Sequence, residues 1–199
     1  MSKTYSKAAA GTFALNKEEP IHRWYSYLEG YSSCLIDDLI LEVGPENICA
    51  IYDPFCGTGT TTLVASKYGI NSYYSETNPF MRNVIEAKIN CVKRLRESGV
   101  GSKYHYRRRN RAATWDGFEK YFEDDVLLKI KDLQKRVSQI PDPDTYRIAM
   151  VILASVIVRA SKMTRQGDLR FAKAGEKHEC DKDIVSNFKL KIKDAISDI

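Results

Sequence analysis

An acidic residue, two glycines and several hydroxyl groups lie close together in one segment of the chain, Asp53-Pro54-Phe55-Cys56-Gly57-Thr58-Gly59-Thr60-Thr61. Glycine lets the backbone approach a ligand closely, and free N–H groups at the start of a helix favour anionic groups. Residues 53–61, called the glycine loop below, are therefore a candidate cofactor-binding loop. Two glycines at this spacing also occur in ordinary turns, so the interpretation depends on the surrounding residues.

Glu76 is the acidic residue that supports this interpretation. It follows Asp53 by 23 residues (76 minus 53) and lies at the end of the next predicted strand. An acidic side chain about 20 residues beyond a glycine-rich turn reaches the ribose hydroxyls of a bound nucleotide in βαβ units. Glu76 is therefore a candidate ribose-binding residue, and the alternative is a solvated charge at a strand end.

The residue types in the loop separate three classes of nucleotide site. A triphosphate-binding loop has a lysine after its last glycine, whereas Thr60 follows Gly59. A dinucleotide-binding loop has a third glycine, where Thr62 stands, and its pyrophosphate would be repelled by Asp53. A carboxylate suits the amino and sulfonium groups of S-adenosylmethionine, and hydroxyl and helix N–H groups suit its carboxylate. S-adenosylmethionine is therefore the predicted cofactor.

The elements around the loop predict an α/β fold. A strand at residues 48–53, a helix at residues 60–68 and a strand at residues 71–75 form one βαβ unit, the building block of parallel sheets. A helix that starts at Ser32 or Ser33 and ends at Gly44-Pro45 precedes this unit. We predict a doubly wound, mainly parallel, Rossmann-like sheet, present in part, with helical additions after about residue 100.

The chain is predicted to comprise three regions. Residues 1–20 are small and polar and are expected to be flexible, and residues 21–100 form the cofactor-binding α/β unit. Residues 101–199 form a mainly helical extension of the same domain. Helical patterns occur at residues 81–97, 116–139, 146–162 and 184–196, and a charged stretch with glycine separates the last two.

Composition sets broad limits on function. With 43% hydrophobic and 29% charged residues, 199 residues suffice for one main domain, and a net charge of +5 suits a polyanionic partner without requiring one. The five cysteines and three histidines show no metal-binding spacing, so no metal is expected. There is no secretory pattern and no apolar run of about 20 residues, so we predict reduced thiols and a cytoplasmic location.

Two motifs together resemble a known family. The glycine loop is similar to the D-P-F-x-G-x-G-T-T cofactor motif of DNA amino-methyltransferases, which methylate the exocyclic nitrogen of adenine or cytosine. The segment Glu76-Thr77-Asn78-Pro79-Phe80 resembles the acidic E-x-N-P motif of the same family. The resemblance is strong over residues 20–85 and only general beyond them.

The resemblance implies a role for each matching residue. Residues of the glycine loop would surround the methionine moiety, Glu76 would hold the ribose, and Pro79 and Phe80 would flank the adenine. Tyr27 or Tyr31 would close the pocket, although the aromatic residues before the loop could equally form a core wedge. The implied cofactor-binding residues are Asp53, Pro54, Phe55, Gly57, Gly59, Thr60, Thr61, Glu76, Asn78, Pro79, Phe80, Tyr27 and Tyr31.

The catalytic motif of that family is missing. It consists of Asp, Asn or Ser followed by Pro-Pro and an aromatic residue, and no Pro-Pro dipeptide occurs in this chain. The nearest sequence, Asn78-Pro79-Phe80, is one proline short, and no Pro-Cys pair typical of cytosine-C5 methyltransferases is present. The catalytic residues therefore stay unknown.

Two groups of arginines are candidates for contact with double-stranded DNA. Residues 103–111 interleave basic side chains with tyrosines, a combination that can neutralise phosphates and stack on bases. A second group lies around residues 165–170. Solvated loops and cations that complement helix ends are the alternatives. The candidate residues are Arg107, Arg108, Arg109, Arg111, Arg165 and Arg170.

The favoured hypothesis is the cofactor-binding half of a split or truncated DNA methyltransferase of a restriction-modification system. Its catalytic motif and target-recognition region would lie on a second polypeptide, so that the chain alone would be inactive. The alternative is a non-catalytic regulatory module that binds S-adenosylmethionine or nucleic acid.

Overall fold

The computed structural model describes residues 5–96, 117–166, 168–171, 173 and 182–199. The chain forms two compact units. Unit 1 comprises Met1–Glu97 together with Ala195–Ile199, and unit 2 comprises Ser98–Asp194. The candidate cofactor loop lies in unit 1. None of the described helices is both long enough and apolar enough to cross a bilayer.

The described residues of unit 1 form four complete α-helices, the end of a fifth and a small parallel sheet. Short 3-10 helices at Leu15–Lys17, His22–Trp24 and Pro45–Asn47 connect the larger elements. In chain order the larger elements are α1 Lys7–Ala10, α2 Ser33–Val43, β1 Ala50–Asp53, α3 Thr60–Lys67, β2 Asn71–Tyr74 and α4 Pro79–Arg96.

The predicted βαβ unit is confirmed. Strand β1 pairs in parallel with β2 from Ala50 opposite Asn71 to Asp53 opposite Tyr74, and α3 forms the connection. An apolar core holds α2 and α3 together with residues next to the strands. Its buried members are Ile40, Val64, Ala65 and Ile70, with Ile36, Ile48, Ile51 and Tyr68 packed against them. A parallel α/β arrangement is thus present, and the parallel sheet has two strands within the described residues.

Some residues before Pro20 pack into unit 1, and the flexibility of the segment as a whole stays a prediction. Phe13 and Asn16 are buried, and the main-chain N–H of Ser32 donates to the carbonyl of Ala10. These residues pack into unit 1 because they supply an apolar ring and a buried amide. Neither is evident from a short polar sequence without a periodic pattern.

The start of α2 is at the predicted place, but its cap is different. The Ser32 hydroxyl donates to the carbonyls of Ala9 and Thr12 and makes no capping bond to α2. The N–H of Ser33 instead donates to Oδ1 of Asn16 at 2.8 Å. A residue distant in sequence therefore satisfies one of the free N–H groups at the helix start.

The described residues of unit 2 are mainly helical. Its helices are α5 Asp124–Ser138, α6 Pro143–Ala160 and the first part of α7 Ile184–Ser197, which ends in unit 1. A 3-10 helix at Glu119–Tyr121 precedes α5, so this helix begins later than the sequence pattern indicated. The core consists of residues from these helices, including Phe122, Val126, Ile130, Leu133, Ala149, Leu153, Val156, Ala160 and Ile184.

One element of unit 2 was not predicted. Strands β3 Met163–Gln166 and β4 Asp168–Phe171 pair as an antiparallel hairpin. Each strand has four residues; β4 alternates polar and apolar residues over that short length, and β3 contains one apolar residue, Met163. Such short strands carry too little periodicity to be distinguished from a charged loop.

Candidate cofactor site

Two acidic residues stand at the same edge of the parallel sheet. Asp53 is the last residue of β1, and Glu76 lies two positions beyond Tyr74, the last residue of β2. The ladder continues past the strands, because Ser75 N–H donates to Asp53 O and Cys56 N–H donates to Ser75 O. Ligands of open α/β sheets bind outside the carboxyl ends of parallel strands. Both carboxylates therefore lie where a ligand is expected.

The two glycines of the loop have backbone conformations that disfavour side chains. Gly57 has φ 53° and Gly59 has φ 83°, and both are buried. A Cβ on Gly57 would lie 3.1 Å from Cε1 of Tyr27, and one on Gly59 would lie 3.2 Å from Cγ1 of Ile85. Glycine is needed at both positions for the left-handed backbone and for close packing.

Glu76 contacts the glycine loop directly. Its Oε2 accepts a hydrogen bond from the N–H of Gly57 at 2.9 Å, and its Oε1 accepts one from the N–H of Asn78 at 2.7 Å. The carboxylate thus links the loop after β1 to the turn after β2. Each carboxylate oxygen has more than one acceptor direction, so the ribose hydroxyls of a nucleoside could bind there as well.

Asp53 is held by two donors. Its Oδ1 accepts from the N–H of Phe55 at 3.0 Å, and its Oδ2 accepts from the hydroxyl of Tyr31 at 2.8 Å. The single proton of Tyr31 is used in this bond, so the Thr61 hydroxyl donates to Tyr31. Burial raises the pKa of Tyr31, which keeps this donor protonated at neutral pH. Asp53 is therefore a buried, oriented carboxylate.

The aromatic residues of the predicted site fall into two groups. Tyr27 packs against Gly57, and Tyr31 binds Asp53, so both tyrosines lie at the glycine loop. Phe55 projects from the loop with 88% of its surface exposed, and Pro54 is exposed beside it. The loop therefore has a packed inner side and an uncovered aromatic ring.

The threonines at the start of α3 are buried and bonded within the protein. Thr60 Oγ1 accepts a hydrogen bond from Nδ2 of Asn16 at 3.4 Å, and Thr61 bonds to Tyr31. Asn16 Nδ2 also donates to the carbonyl of Tyr31 at 3.0 Å. Asn16 thus links the start of α3 to the main chain at Tyr31. Sequence reasoning missed it because its contacts span 15 and 44 residues.

The second motif begins α4. The Oδ1 of Asn78 accepts from the N–H of Phe80 at 2.9 Å, which is a helix-starting contact. Pro79 is exposed as the first residue of α4, and Phe80 is half-buried in an edge-to-face contact with Tyr25. A role of these residues beside an adenine stays a prediction.

Cys56 is a poor nucleophile in this position. Its thiol is buried, and burial together with Asp53 and Glu76 raises its pKa to about 12. The thiolate is the reactive form, so this thiol is inert at neutral pH.

The candidate DNA-binding arginines are only partly described. Arg107, Arg108, Arg109 and Arg111 lie outside the described residues. Arg165 is in β3 opposite Leu169, and Arg170 is in β4 opposite Thr164. Nη1 of Arg170 donates to the carbonyl of Phe171 at 3.0 Å. The hairpin thus places two of the predicted arginines on paired strands of unit 2.

Comparison with known proteins identifies relatives of one kind. The chain is 42% identical over 77 residues to the type II methyltransferase M.BsoBI of Geobacillus stearothermophilus, a match that covers 39% of this chain and 15% of that protein. It is 35% identical over 77 residues to M.AvaI of Nostoc sp. strain PCC 7120, covering 39% and 16%. The match to M.MvaI of Kocuria varians is 22% identical over 186 residues, covering 85% of this chain and 40% of the relative.

These matches span well under half of each relative. No protein-family model matches the chain, and no solved structure is significantly similar to it. The resemblance inferred from the glycine loop and the Glu76 motif is nevertheless confirmed, because the relatives of this chain are type II methyltransferases, matched over part of their length.

Proposed function

We propose that this chain binds S-adenosylmethionine at the glycine loop and serves as the cofactor-binding part of a DNA methyltransferase. One observation carries the proposal: the Glu76 carboxylate binds the Gly57 N–H and so stands beside the loop that follows Asp53. Two carboxylates flanking a left-handed glycine loop suit a ligand with ribose hydroxyls and a cationic sulfonium. Relatives that are methyltransferases support the same cofactor and do not favour a non-catalytic module.

In this proposal each residue has a distinct task. Asp53, oriented by Tyr31 and Phe55 N–H, faces the cationic methionine end, and Glu76 accepts from the ribose. Gly57 and Gly59 let the backbone approach the ligand, and Phe55 closes over it. The cofactor supplies the electrophilic methyl group. The acceptor would be the exocyclic amino nitrogen of adenine or cytosine in double-stranded DNA, and Arg165 and Arg170 would contact phosphates.

Binding is tested by titration calorimetry with S-adenosylmethionine. We expect a Kd of about micromolar order, and a loss of at least about tenfold in Asp53→Ala and in Glu76→Gln, since each removes a charged acceptor. Glu42→Gln, at an exposed position of α2, is the matched control and should bind like the wild type. Absence of binding by the wild type at millimolar ligand would contradict the proposal.

We also propose that a second polypeptide completes the domain and supplies the catalytic motif. Tyr52 and Tyr73 are register partners in β1 and β2, yet they are 61% and 64% exposed. Parallel sheets in proteins are covered on both faces, so this uncovered face supports a partner that continues a doubly wound, Rossmann-like fold. Among the described residues, Cys34, Cys49, Cys56 and Cys91 form no disulfide, which supports placing the enzyme in the cytoplasm.

The partner is tested by methyl transfer from radiolabelled cofactor to DNA. The chain alone should be inactive, and a polypeptide that carries a Pro-Pro-aromatic motif should restore transfer. Tyr52→Lys should weaken restoration while cofactor binding is retained, because Tyr52 lies on the exposed face of the sheet. Transfer by the chain alone would refute the requirement for a partner.

A further inference from the structure

Lys88 is buried behind the glycine loop, and no part of the proposed function uses it. Its side chain is 0% exposed and extends from α4. Nζ donates to the carbonyl of Thr58, in the loop, at 3.1 Å and to the carbonyl of His22 at 3.4 Å. Within the described part of the chain, no carboxylate forms an ion pair with it. A buried lysine without an acidic partner is uncommon, because burial of an isolated charge is costly.

The number of acceptors matches the neutral amine. An ammonium has three N–H donors, whereas a neutral amine has two, and two carbonyl oxygens accept from Nζ. Burial accordingly lowers the pKa of Lys88 to about 7. The side chain can therefore lose its proton near neutral pH and still hold both carbonyls.

Two other titratable groups approach this lysine. His22, on the 3-10 helix, is 1% exposed, and neither ring nitrogen has a hydrogen-bond partner among the described residues. Burial and the charges of Lys88 and Lys67 lower the pKa of His22 to about 2. Cys56, in the loop, has a pKa near 12, raised by burial and by Asp53 and Glu76. Neither group changes charge between about pH 6 and pH 8.5, so Lys88 is the titrating member of the cluster.

We propose that Lys88 is a positioning residue for the cofactor site, which fixes the glycine loop through Thr58 and couples cofactor affinity to its own proton. This inference rests on the proposed binding of S-adenosylmethionine. That ligand carries a sulfonium and an ammonium against one carboxylate, so its net charge is positive. A positive ligand at the loop disfavours a second positive charge behind it in a weakly screened interior. Binding therefore favours neutral Lys88 and releases a proton.

The direction of the pH effect follows from this coupling. Affinity for S-adenosylmethionine increases as pH rises through the pKa of Lys88, by about tenfold between pH 6 and pH 8.5. S-adenosylhomocysteine lacks the methyl group and the sulfonium charge, so its affinity changes less than about threefold over the same range. S-adenosylhomocysteine is thus a control ligand, and its comparison with S-adenosylmethionine isolates the effect of the sulfonium charge.

The test is calorimetry with both ligands from about pH 6 to pH 8.5, in buffers of different ionisation enthalpy. The wild type should release a fraction of a proton on binding S-adenosylmethionine near pH 7. Lys88→Met should lose the pH dependence and, without donors to Thr58 and His22, bind about tenfold more weakly at pH 8.5. Lys88→Gln keeps N–H donors, so its affinity for S-adenosylmethionine should not depend on pH and should fall less than that of Lys88→Met. Lys17→Met, at an exposed position, should retain the wild-type profile.

Each other outcome has a definite meaning. A wild-type affinity that does not change with pH, or a slope that persists in both Lys88 variants, overturns the role of Lys88 while leaving the proposed function intact. Failure of the wild type to bind either ligand overturns both. Circular dichroism checks that the variants fold, and if neither does, absence of proton release by the wild type overturns the inference.

Discussion

Glu76 accepts a hydrogen bond from the main-chain N–H of Gly57 at 2.9 Å, which joins the two motifs that define the candidate site. The bond links a turn after β2 to a loop after β1, at the carboxyl edge of the parallel pair. It requires that the loop backbone come within reach of the carboxylate. The left-handed conformation of Gly57 at φ 53° is part of this geometry.

Replacement of Gly57 by alanine should be more harmful than the same change at Gly69. Both glycines have positive φ, 53° and 71°, but a Cβ at Gly69 meets nothing within 4 Å, whereas one at Gly57 meets Tyr27 at 3.1 Å. Gly69→Ala therefore measures backbone strain of about 1 kcal/mol, and Gly57→Ala adds about 1 kcal/mol of crowding. Urea unfolding measures the free energy of unfolding of both variants. Equal losses would show that Tyr27 moves aside freely.

Removal of the Tyr31 hydroxyl should destabilise unit 1 and disturb Asp53. Tyr31→Phe leaves Oδ2 of buried Asp53 without its donor, at a cost of about 1–2 kcal/mol in the free energy of unfolding. The control is Tyr73→Phe, because Tyr73 is 64% exposed and its change should be within about 0.5 kcal/mol of zero. Cofactor titration of the same variants checks whether affinity falls with the loss of carboxylate orientation. An unchanged stability of Tyr31→Phe would contradict the assigned bond.

His22 should make the protein sensitive to acid. The pKa of His22 is lowered to about 2 in the folded state by burial and the Lys88 charge, whereas the unfolded residue has its ordinary pKa of about 6.5. The contribution of neutral His22 to the free energy of unfolding is therefore complete above about pH 6.5. Below that pH it is lost, by about 1.4 kcal/mol for each pH unit. His22→Leu should flatten the stability profile between about pH 6.5 and pH 4.5, measured by urea unfolding. A profile parallel to that of the wild type would show that His22 is protonated in the folded state.

Asp198 should be essential for the stability of the aromatic segment before the glycine loop. Its carboxylate accepts from Ile21 N–H at 2.9 Å, from Trp24 Nε1 at 2.9 Å and from both Nε and Nη2 of Arg23. Ile21 has φ 64°, an unfavourable conformation for a β-branched residue that the bond to Asp198 helps to hold.

We expect Asp198→Ala to cost about 2–4 kcal/mol, because it leaves buried donors unpaired and frees the strained residue. Trp24 fluorescence during urea unfolding reports this loss directly. Lys193→Ala, at an exposed position of α7 shortly before Asp198, is the control. A similar small effect of both substitutions would argue against a special role for Asp198.

The sequence by itself determined the βαβ unit and the position of the candidate site. The glycine loop, the strand on each side and Glu76 are local patterns, since turn chemistry and strand periodicity act over neighbouring residues. The ends of α2 and α3 followed from residues such as Gly44 and Gly69 for the same reason, whereas α4 begins at Pro79, two residues before the helical pattern at residues 81–97. The similarity of these motifs to methyltransferases was also evident before the structure, and the relatives confirm it.

Only the tertiary structure decided what supports the site. Asn16, Lys88 and Asp198 make their main contacts across separations of 15 to 177 residues, which no local pattern encodes. Packing also decided that Tyr31 binds Asp53 and that Phe80 contacts Tyr25. Burial is a property of the folded chain, so the low pKa of His22 and the uncharged state available to Lys88 exist only when distant segments remove water from both side chains.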